Sequence, residues 1–504
     1  MHYRSDDDRH WKTRNLDLEP SLTVTVVGIG GGDFILEETG QPMSSKIIKP
    51  PYRVPLMREI NALEPNGFKV ISTFAGCGGS SLGYRMAGFK VLWASEFIDA
   101  ARKVYEENAT KGTLVDGRDI RLVDPLEVLK ALKLKPGELD VLDGSPPCAS
   151  FSTAGKREKH WGEEKKYSDK VQRTDDLFFE YVRFLKAIKP KVFVAENVSG
   201  LVKGTAKGYF LEILREMKAC GYRVEARLLD AQWLGVPQAR QRIIFQGVRE
   251  DLDLPPAYPT PQPHRYSVRD ALPNLTRVIH DTGGEWSTGD VTNRPSPTIT
   301  VGVNSFNSSH FKVEGATGFD RHAGQSIDKP MPSVMAKRAV GLIGKVEVET
   351  DISGQAIGRE YDKLNPGEAS EKYFSLVRAD ANEPSPTVTA AGGQNSGIAC
   401  VVHPTEKRKF SIAELKRICA FPDDFALSGS YAQQWERLGR AVPPLMMKAI
   451  AEAVRDGVLR PAQSRTSARA PRSTDRSTSG SPRKGAGPKR SSPPNAARRP
   501  APAS

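Results

Sequence analysis

From Phe68 onward, short apolar and β-branched runs alternate with longer stretches whose apolar positions recur at helical spacing. KVISTF (69–74), VLWASE (91–96), LDVLDGS (139–145), KVFVAENV (191–198), RVEARLLD (223–230) and RIIFQGV (242–248) read as strands. Between them lie a stretch that follows a glycine-rich turn and runs to Met86, FIDAARKVYEENA, DLFFEYVRFLKAI (176–188) and YFLEILREMKACG (209–221). These have helical periodicity, and the last closes on a C-cap glycine. Strands alternating with helices predict an α/β fold with an open, mostly parallel sheet. Such a sheet binds ligands at the carboxyl ends of its strands.

The pattern changes after Val248. Residues 251–405 are rich in Pro, Gly, Ser, Thr and Asn, and RPSPTITV (294–301), KPMPSVMA (329–336) and EPSPTVTA (383–390) repeat one motif. Its prolines favour extended backbone ahead of a β-branched strand. Three unequal copies are too few and too irregular for a solenoid, so this region reads as a second, smaller, mainly β domain. Helical periodicity returns in SIAELKRICAF and PPLMMKAIAEAV. The expected organisation is an N-terminal extension (1–66), a catalytic body (67–250), the β domain (251–405), a return to the body (406–460) and a tail (461–504). In the extension, SLTVTVVGIGGGDF has no helix pattern behind its glycines, so a hairpin turn explains it better than a nucleotide loop.

Composition sharpens this picture in three places. The chain carries a formal charge of +13, which by itself suggests a nucleic-acid partner. Residues 461–504, however, hold ten Lys/Arg and one acid (Asp475), leaving the rest at only +4. That tail has no Val, Ile, Leu, Met, Cys or aromatic residue, so it has nothing to bury and is expected to be disordered. A phosphate-binding tether and a solubilising tail fit it equally. The five cysteines, Cys77, Cys148, Cys220, Cys400 and Cys419, are odd in number with no C-x-x-C pair. This argues against a disulfide scaffold or a zinc site, and for a reducing compartment. No apolar run reaches the roughly 20 residues of a membrane-spanning helix.

The residues with chemical potential cluster at expected strand ends. FAGCGGSSLG (74–83) closes a strand and opens a helix, and Gly76, Gly78 and Gly79 let its backbone approach a ligand. Glu96 ends the next strand, where an acid commonly binds ribose hydroxyls. Turn plus acid point to a nucleoside cofactor, and the aromatic and serine flanks favour adenosine over a phosphate. In DGSPPCASFS, two prolines fix the chain before Cys148. A lone cysteine is more often a small buried hydrophobe, but a polar turn beyond a strand end suits a nucleophile. AENVSG sets Glu196 at the end of the neighbouring strand, where it is either a helix cap or an acid facing the cysteine. VPQARQRI alternates Gln238, Arg240 and Arg242, either an exposed polar face or a guanidinium fork for an anionic or carbonyl-bearing substrate.

Taken in order, these elements resemble the DNA (cytosine-5) methyltransferase family. The resemblance rests on Phe74 to Gly79 (F-x-G-x-G-G), Glu96, Asp119–Ile120, Pro146 to Cys148, Glu196 to Val198 and Gln238 to Arg242. It resumes in Arg408 to Glu414, FPDDF (421–425) and Gly439 to Pro444. It implies a class I S-adenosylmethionine-dependent methyltransferase (Rossmann-like) domain with a smaller target-recognition domain at 251–405. It also implies transfer of a methyl group to C5 of a flipped-out cytosine in double-stranded DNA. Cys148 would add to C6, and Glu196 would bind N3 and the exocyclic amine and supply a proton, which requires burial to raise its pKa. Arg242, helped by Arg240, would hold O2. Phe74, Gly76, Gly78, Gly79, Glu96, Asp119, Ile120, Arg440 and Val442 would line the cofactor site. Gln238, Lys156 and Arg157 with Lys159 of a basic closing loop, and Asn304, Lys337, Arg338, Gln394 and Asn395 are the candidates for DNA contact. The resemblance further implies a cytoplasmic monomer of a bacterium or phage, working at the nucleoid without metal or membrane. It leaves open a cognate restriction endonuclease as partner.

One departure bears on the cofactor. Relatives usually carry G-N-[AS]-V where this chain has Gly439-Arg440-Ala441-Val442. A second cation about 5 Å from a sulfonium costs on the order of 3 kcal/mol at an effective dielectric of 20. Arg440 either points outward to a phosphate or local acid, or weakens cofactor binding, or pairs with the carboxylate of carboxy-S-adenosylmethionine, giving carboxymethyl transfer. Ala149, after Pro-Cys, is a second departure and concerns the closing loop. A transfer-RNA cytosine methyltransferase and a catalytically inactive DNA-binding protein are the rival readings.

Overall fold

The computed structural model describes residues 24–28, 34–37, 49–147, 165–167, 170–172, 177–202, 206–273, 350–373, 375–393 and 400–469. Two compact units divide the chain, Met1–Ala462 and Gln463–Ser504.

The first unit is built on a nine-stranded sheet. Its parallel half is β3 (Lys69–Thr73), β4 (Lys90–Ser95), β5 (Leu114–Asp116), β6 (Val141–Gly144) and β9 (Val192–Val198). Beyond β9 the sheet continues antiparallel through β11 (Gln241–Arg249), β10 (Tyr222–Asp230), β1 (Val24–Gly28) and β2 (Phe34–Glu37). The spatial order is β2-β1-β10-β11-β9-β6-β3-β4-β5. A short separate hairpin joins β7 (Lys165–Tyr167) and β8 (Lys170–Gln172). All six strands read from the sequence are present, within a residue or two of their expected ends. The strand β5 has only three residues and no apolar run to announce it. The expected hairpin is β1–β2, paired antiparallel.

Alternation along each strand sends successive side chains to opposite faces of the sheet. Ile71, Leu142, Phe193, Ile243 and Phe245 join one buried cluster with Val128 of α4 (Pro125–Ala131), Phe184 of α5 (Leu177–Ile188) and Ile213 of α6 (Ala206–Ala219). Val70, Val141, Val192, Val194 and Ile244 face the other way, toward Tyr84 of α2 (Gly79–Met86) and Met446, Met447 and Ile450 of helix Pro444–Val454. The second layer explains why the chain returns after residue 405: the sheet's second face needs that helix as a cover. The two helices approach closely, since a Cβ on Gly83 would lie 2.6 Å from both the Met447 Cβ and the Pro444 carbonyl.

The region expected to be mainly β is different among its described residues. Strands there are limited to the parallel pair Val377–Arg378 and Val401–Val402, beside short helices Val268–Ala271 and Ala356–Tyr361. Val268, Ile352, Leu376 and Val388 share one core with Leu415 and Trp435 of the return. The copies of the proline motif at 294–301 and 329–336 lie outside the described residues. At the other boundary, helix Arg460–Arg469 occupies the start of the expected disordered tail. Ala462 is buried and Arg460 bonds Asp456 one turn back at 2.7 Å. Ala, Gln and Arg sustain a helix without any large apolar residue, which the absence of core-forming residues concealed. Residues 470–504 lie outside the described set.

Candidate active site

From β3 the chain runs to β4 and β5 on one side, then crosses to β6 and β9 on the other. The carboxyl ends of β3 and β6 therefore flank a topological switch point, where an open α/β sheet holds its ligand. The predicted residues are distributed around it.

The glycine turn leaves β3 with Phe74 at φ +53°, Gly76 at +57° and Gly78 at +97°. The left-handed value at Phe74 is costly for a residue with a side chain. At Gly76 an added Cβ would meet nothing within 4 Å, so the turn presents bare backbone to open space. Glu96, just past β4, accepts from the Gly76 amide at 2.8 Å and from the Ile98 amide at 2.7 Å. Burial raises its carboxyl pKa, against the pull of those amides and of Arg102 and Arg440. Backbone open on one side and a tethered carboxylate beside it fit the hydroxyl-bearing adenosine of S-adenosylmethionine.

Gly79 has another reason for being glycine than the expected ligand approach. A Cβ there would stand 2.3 Å from the Val442 carbonyl, so its bareness lets α2 seat against the returning segment. Val442 is itself buried. Asp119 caps the short turn Ile120–Leu122 and pairs with Arg121 at 3.0 Å. The Ile120 side chain is buried, and its carbonyl accepts from Arg183 at 2.7 Å. Arg440 ends helix Tyr431–Arg440 and donates to Glu436 at 2.8 Å. Of the readings open for Arg440, the local acid is the one found, and Glu96 also lies within its field.

On the other side of the switch point, Glu196 of β9 and Arg242 of β11 share a face of the antiparallel pair. Arg242 stands opposite Val198, two residues along from Glu196. That diagonal brings the guanidinium within 2.6 Å of the carboxylate, with both side chains mostly buried. Cys148 and 149–164, including Lys156, Arg157 and Lys159, lie outside the described residues, as do Asn304, Lys337, Arg338, Gln394 and Asn395. The turn leading to Cys148 is described as far as Pro147. The Asn197 amide, next to Glu196, donates to the Pro146 carbonyl at 3.2 Å. This tether couples the carboxylate's strand to the approach to the cysteine.

Two expectations for the segment before β11 are corrected. Gln238 and Arg240 precede the strand and do not share an exposed face with Arg242. Gln238 is fully buried among the described residues and donates to the Cys419 sulfur at 3.3 Å, rather than lying on an exposed face. Arg240 is 1% exposed, and its terminal nitrogens bind the carbonyls of Val388 at 3.2 Å and Gly439 at 2.9 Å. Burial and then the neighbouring Arg242 bring its pKa down to about 9. Arg240 is a clamp between the third proline motif and helix Tyr431–Arg440. The same motif is held at Ser385, which pairs with Gln238, and at Thr387, whose hydroxyl donates to the Ala239 carbonyl at 2.6 Å. Arg408 to Glu414 is also structural, a buried bidentate ion pair at 2.7 and 2.8 Å around the Ser411 cap.

The residues that sequence reasoning passed over are Asn197's partner role, Arg183 and Asp143. Asp143 could have been noticed as an acid inside an otherwise apolar strand.

A Rossmann-like sheet with a bare glycine turn and strand-end carboxylates at its switch point is the architecture on which S-adenosylmethionine-dependent methyltransferases are built. The family model for C-5 cytosine-specific DNA methylases matches residues 68–456. The chain belongs to that family, whose substrate is DNA. It is 30% identical over 406 residues to the type II methyltransferase M.DdeI of Desulfomicrobium norvegicum, covering 76% of this chain and 88% of that one. To the type II methyltransferase M.AgeI of Thalassovita gelatinovora it is 29% identical over 446 residues, covering 77% of this chain and 99% of the relative. A solved prophage-encoded protein of E. coli, described as a DNA modification methyltransferase, shares the fold with a TM-score of 0.52 and 21% identity, over 78% of this chain and all of that one. No helix among the described residues is long and apolar enough to cross a membrane.

Proposed function

We propose that the protein methylates C5 of a cytosine flipped out of duplex DNA, through a covalent bond between Cys148 and C6. The observation that carries this reading is the Glu196–Arg242 pair beside the turn that Asn197 ties down ahead of Cys148.

The Gly76 backbone and Glu96 would hold S-adenosylmethionine, which would supply an electrophilic methyl carbon on a sulfonium. The rest of the chemistry belongs to the chain. Cytosine C5 is a weak nucleophile until the Cys148 thiolate forms a bond to C6 and drives the ring π electrons toward C5. Glu196 exchanges one contact with Arg242 for N3 and the exocyclic amine, holding a proton at N3 as charge develops there. Arg242 stays over O2 and stabilises the same charge. Once C5 carries the transferred methyl group, loss of its proton to a base re-forms the C5–C6 double bond, and the electron pair of the C6–S bond leaves with Cys148 as thiolate. Inside a stacked duplex neither face of C6 is reachable, hence the flip.

Incubation with S-adenosylmethionine and duplex DNA, followed by bisulfite sequencing, should reveal 5-methylcytosine at defined sites. A duplex carrying 5-fluorocytosine should stay bound under denaturing conditions, because fluorine cannot leave as a proton does. Methylation without such trapping overturns the covalent route.

Arg440 bears on which group is transferred. Its bond to Glu436 and its electrostatic pull on Glu96 support a reading in which acids of this chain offset the cation, with no need for a carboxylate on the cofactor. Arg440→Asn is therefore expected to leave both the methyl product and the cofactor preference unchanged, as read from nucleoside masses with each cofactor. A carboxymethyl product lost in that variant overturns this assignment.

A further inference from the structure

Asp143 lies on β6 at 1% exposure, directly opposite Ser72 of β3 in the parallel register. Ser72 donates its hydroxyl to Oδ2 at 2.7 Å. Ser80, in the first turn of α2, donates to both carboxyl oxygens at 2.8 Å. These two serines stand on either side of the glycine turn, 74–79, so one carboxyl joins both ends of that loop. The backbone of Asp143 is fastened to the same strand, since its carbonyl accepts from the Thr73 hydroxyl at 3.1 Å. From Asp143 the chain runs directly through Gly144, Ser145 and the two prolines to Cys148.

We propose that Asp143 is a positioning residue that staples the glycine turn to the strand carrying the nucleophile, holding methyl donor and thiolate in register. This rests on reading the turn as the cofactor cradle and Cys148 as the nucleophile. A displacement of about 1 Å between reacting groups can cost a hundredfold in rate, and no other carboxylate in the described residues bonds both Ser72 and Ser80.

The staple is sensitive to protonation. As a carboxylate, Asp143 only accepts, so both serine arms close together. As an acid, its O–H must donate, and one serine has to turn. Burial pushes its pKa up to about 7, the two serine hydroxyls pull it down, and Glu196 adds to the rise. The titratable groups that feel Asp143 are Glu196 from β9, Tyr84 from α2, Tyr105 from helix Asp99–Asn108 and Tyr181 from α5, none of them a cation. The raised pKa means that its contribution to stability is fully present below the unfolded value of about 4 and is lost as pH rises through about 7.

The test compares the full chain with Asp143→Asn, Ser72→Ala and Ser80→Ala, on duplex DNA with S-adenosylmethionine. Asp143→Asn should lower kcat about tenfold or more at pH 8, leave the KM for duplex DNA within about twofold, and remove the acid limb of the kcat profile near neutral pH. Its melting temperature relative to wild type should climb between pH 5 and pH 8, because the variant has no charge to bury. Ser80→Ala keeps the carboxyl and the Ser72 donor but removes the Ser80 hydroxyl, so the acid limb should move to higher pH. Wild-type kcat and an unshifted limb in Asp143→Asn would overturn the proposal. If that variant fails to fold, an unmoved limb in both serine variants overturns it instead. A wild-type chain that forms no 5-methylcytosine would sink the functional reading itself, a result distinct from either of these.

Discussion

Cys148→Ser is expected to lower the rate of 5-methylcytosine formation by roughly four orders of magnitude or more, as removal of a covalent nucleophile does elsewhere. A serine hydroxyl is essentially un-ionised at neutral pH, whereas a thiol holds a few per cent of the far more nucleophilic thiolate. Without addition at C6, C5 keeps its aromatic character, and Glu196 and Arg242 have no developing charge to stabilise. Binding should survive, because the glycine turn, Glu96 and the Asn197–Pro146 tether involve no atom of Cys148. The checks are single-turnover methylation on duplex DNA and a gel-shift titration in parallel. A residual rate within tenfold of wild type would mean that C6 addition is not on the path. Intact binding with lost chemistry would also exclude an inactive DNA-binding protein as the natural function.

The second large effect separates two arginines that stand two residues apart. Arg240→Met should destabilise the protein by about 3 kcal/mol, since it removes two charge-assisted hydrogen bonds and strands two buried carbonyls. Those carbonyls belong to Val388 and Gly439, so the loss should loosen the third proline motif from helix Tyr431–Arg440. Arg242→Met should instead lower kcat by about a hundredfold, the scale of removing one donor to a developing charge, a loss of rate beyond the stability it forfeits by leaving Glu196 unpaired. Calorimetry and steady-state kinetics on both variants read the two axes. The reverse outcome, a stable and inactive Arg240→Met, would return Arg240 to the substrate-binding role that the Q-x-R-x-R spacing suggested. Arg242 already shows the alternative geometry, with its Nε on Glu196 at 2.6 Å and no contact across to the proline motif among its described bonds.

Much of this protein was legible in one dimension because its signals are local. A continuous apolar run such as VFVA in KVFVAENV marks a strand buried on both faces, and the observed β9 spans Val192–Val198. Periodicity also located α5 and α6, and the positive φ of Gly221, +86°, sits where a C-cap glycine was expected. Errors appeared where a residue's environment comes from far along the chain. Gln238, Arg240 and Arg242 look alike in spacing, yet segments around residues 385–388, 419 and 439 bury the first two and leave the third facing Glu196. Gly79 is glycine because of Val442. The helix at Arg460–Arg469 extends past the last core-forming residues, because helix propensity persists where they stop.

The opening alternation of strand and helix, with its glycine turn, strand-end acids and Pro-Pro-Cys, was enough to determine the fold class, the family and the chemistry expected at each strand end. Local backbone preferences and short motifs are written within a few residues, so sequence alone conveys them. Only the tertiary structure decided which polar residues work as arms and which as struts. Asp143 meets Ser72 across 71 residues and Arg240 meets Gly439 across 199, and no local pattern encodes such a pairing. Burial in the assembled core assigns those roles, because there a charged or polar group must find its partners wherever the chain returns to supply them.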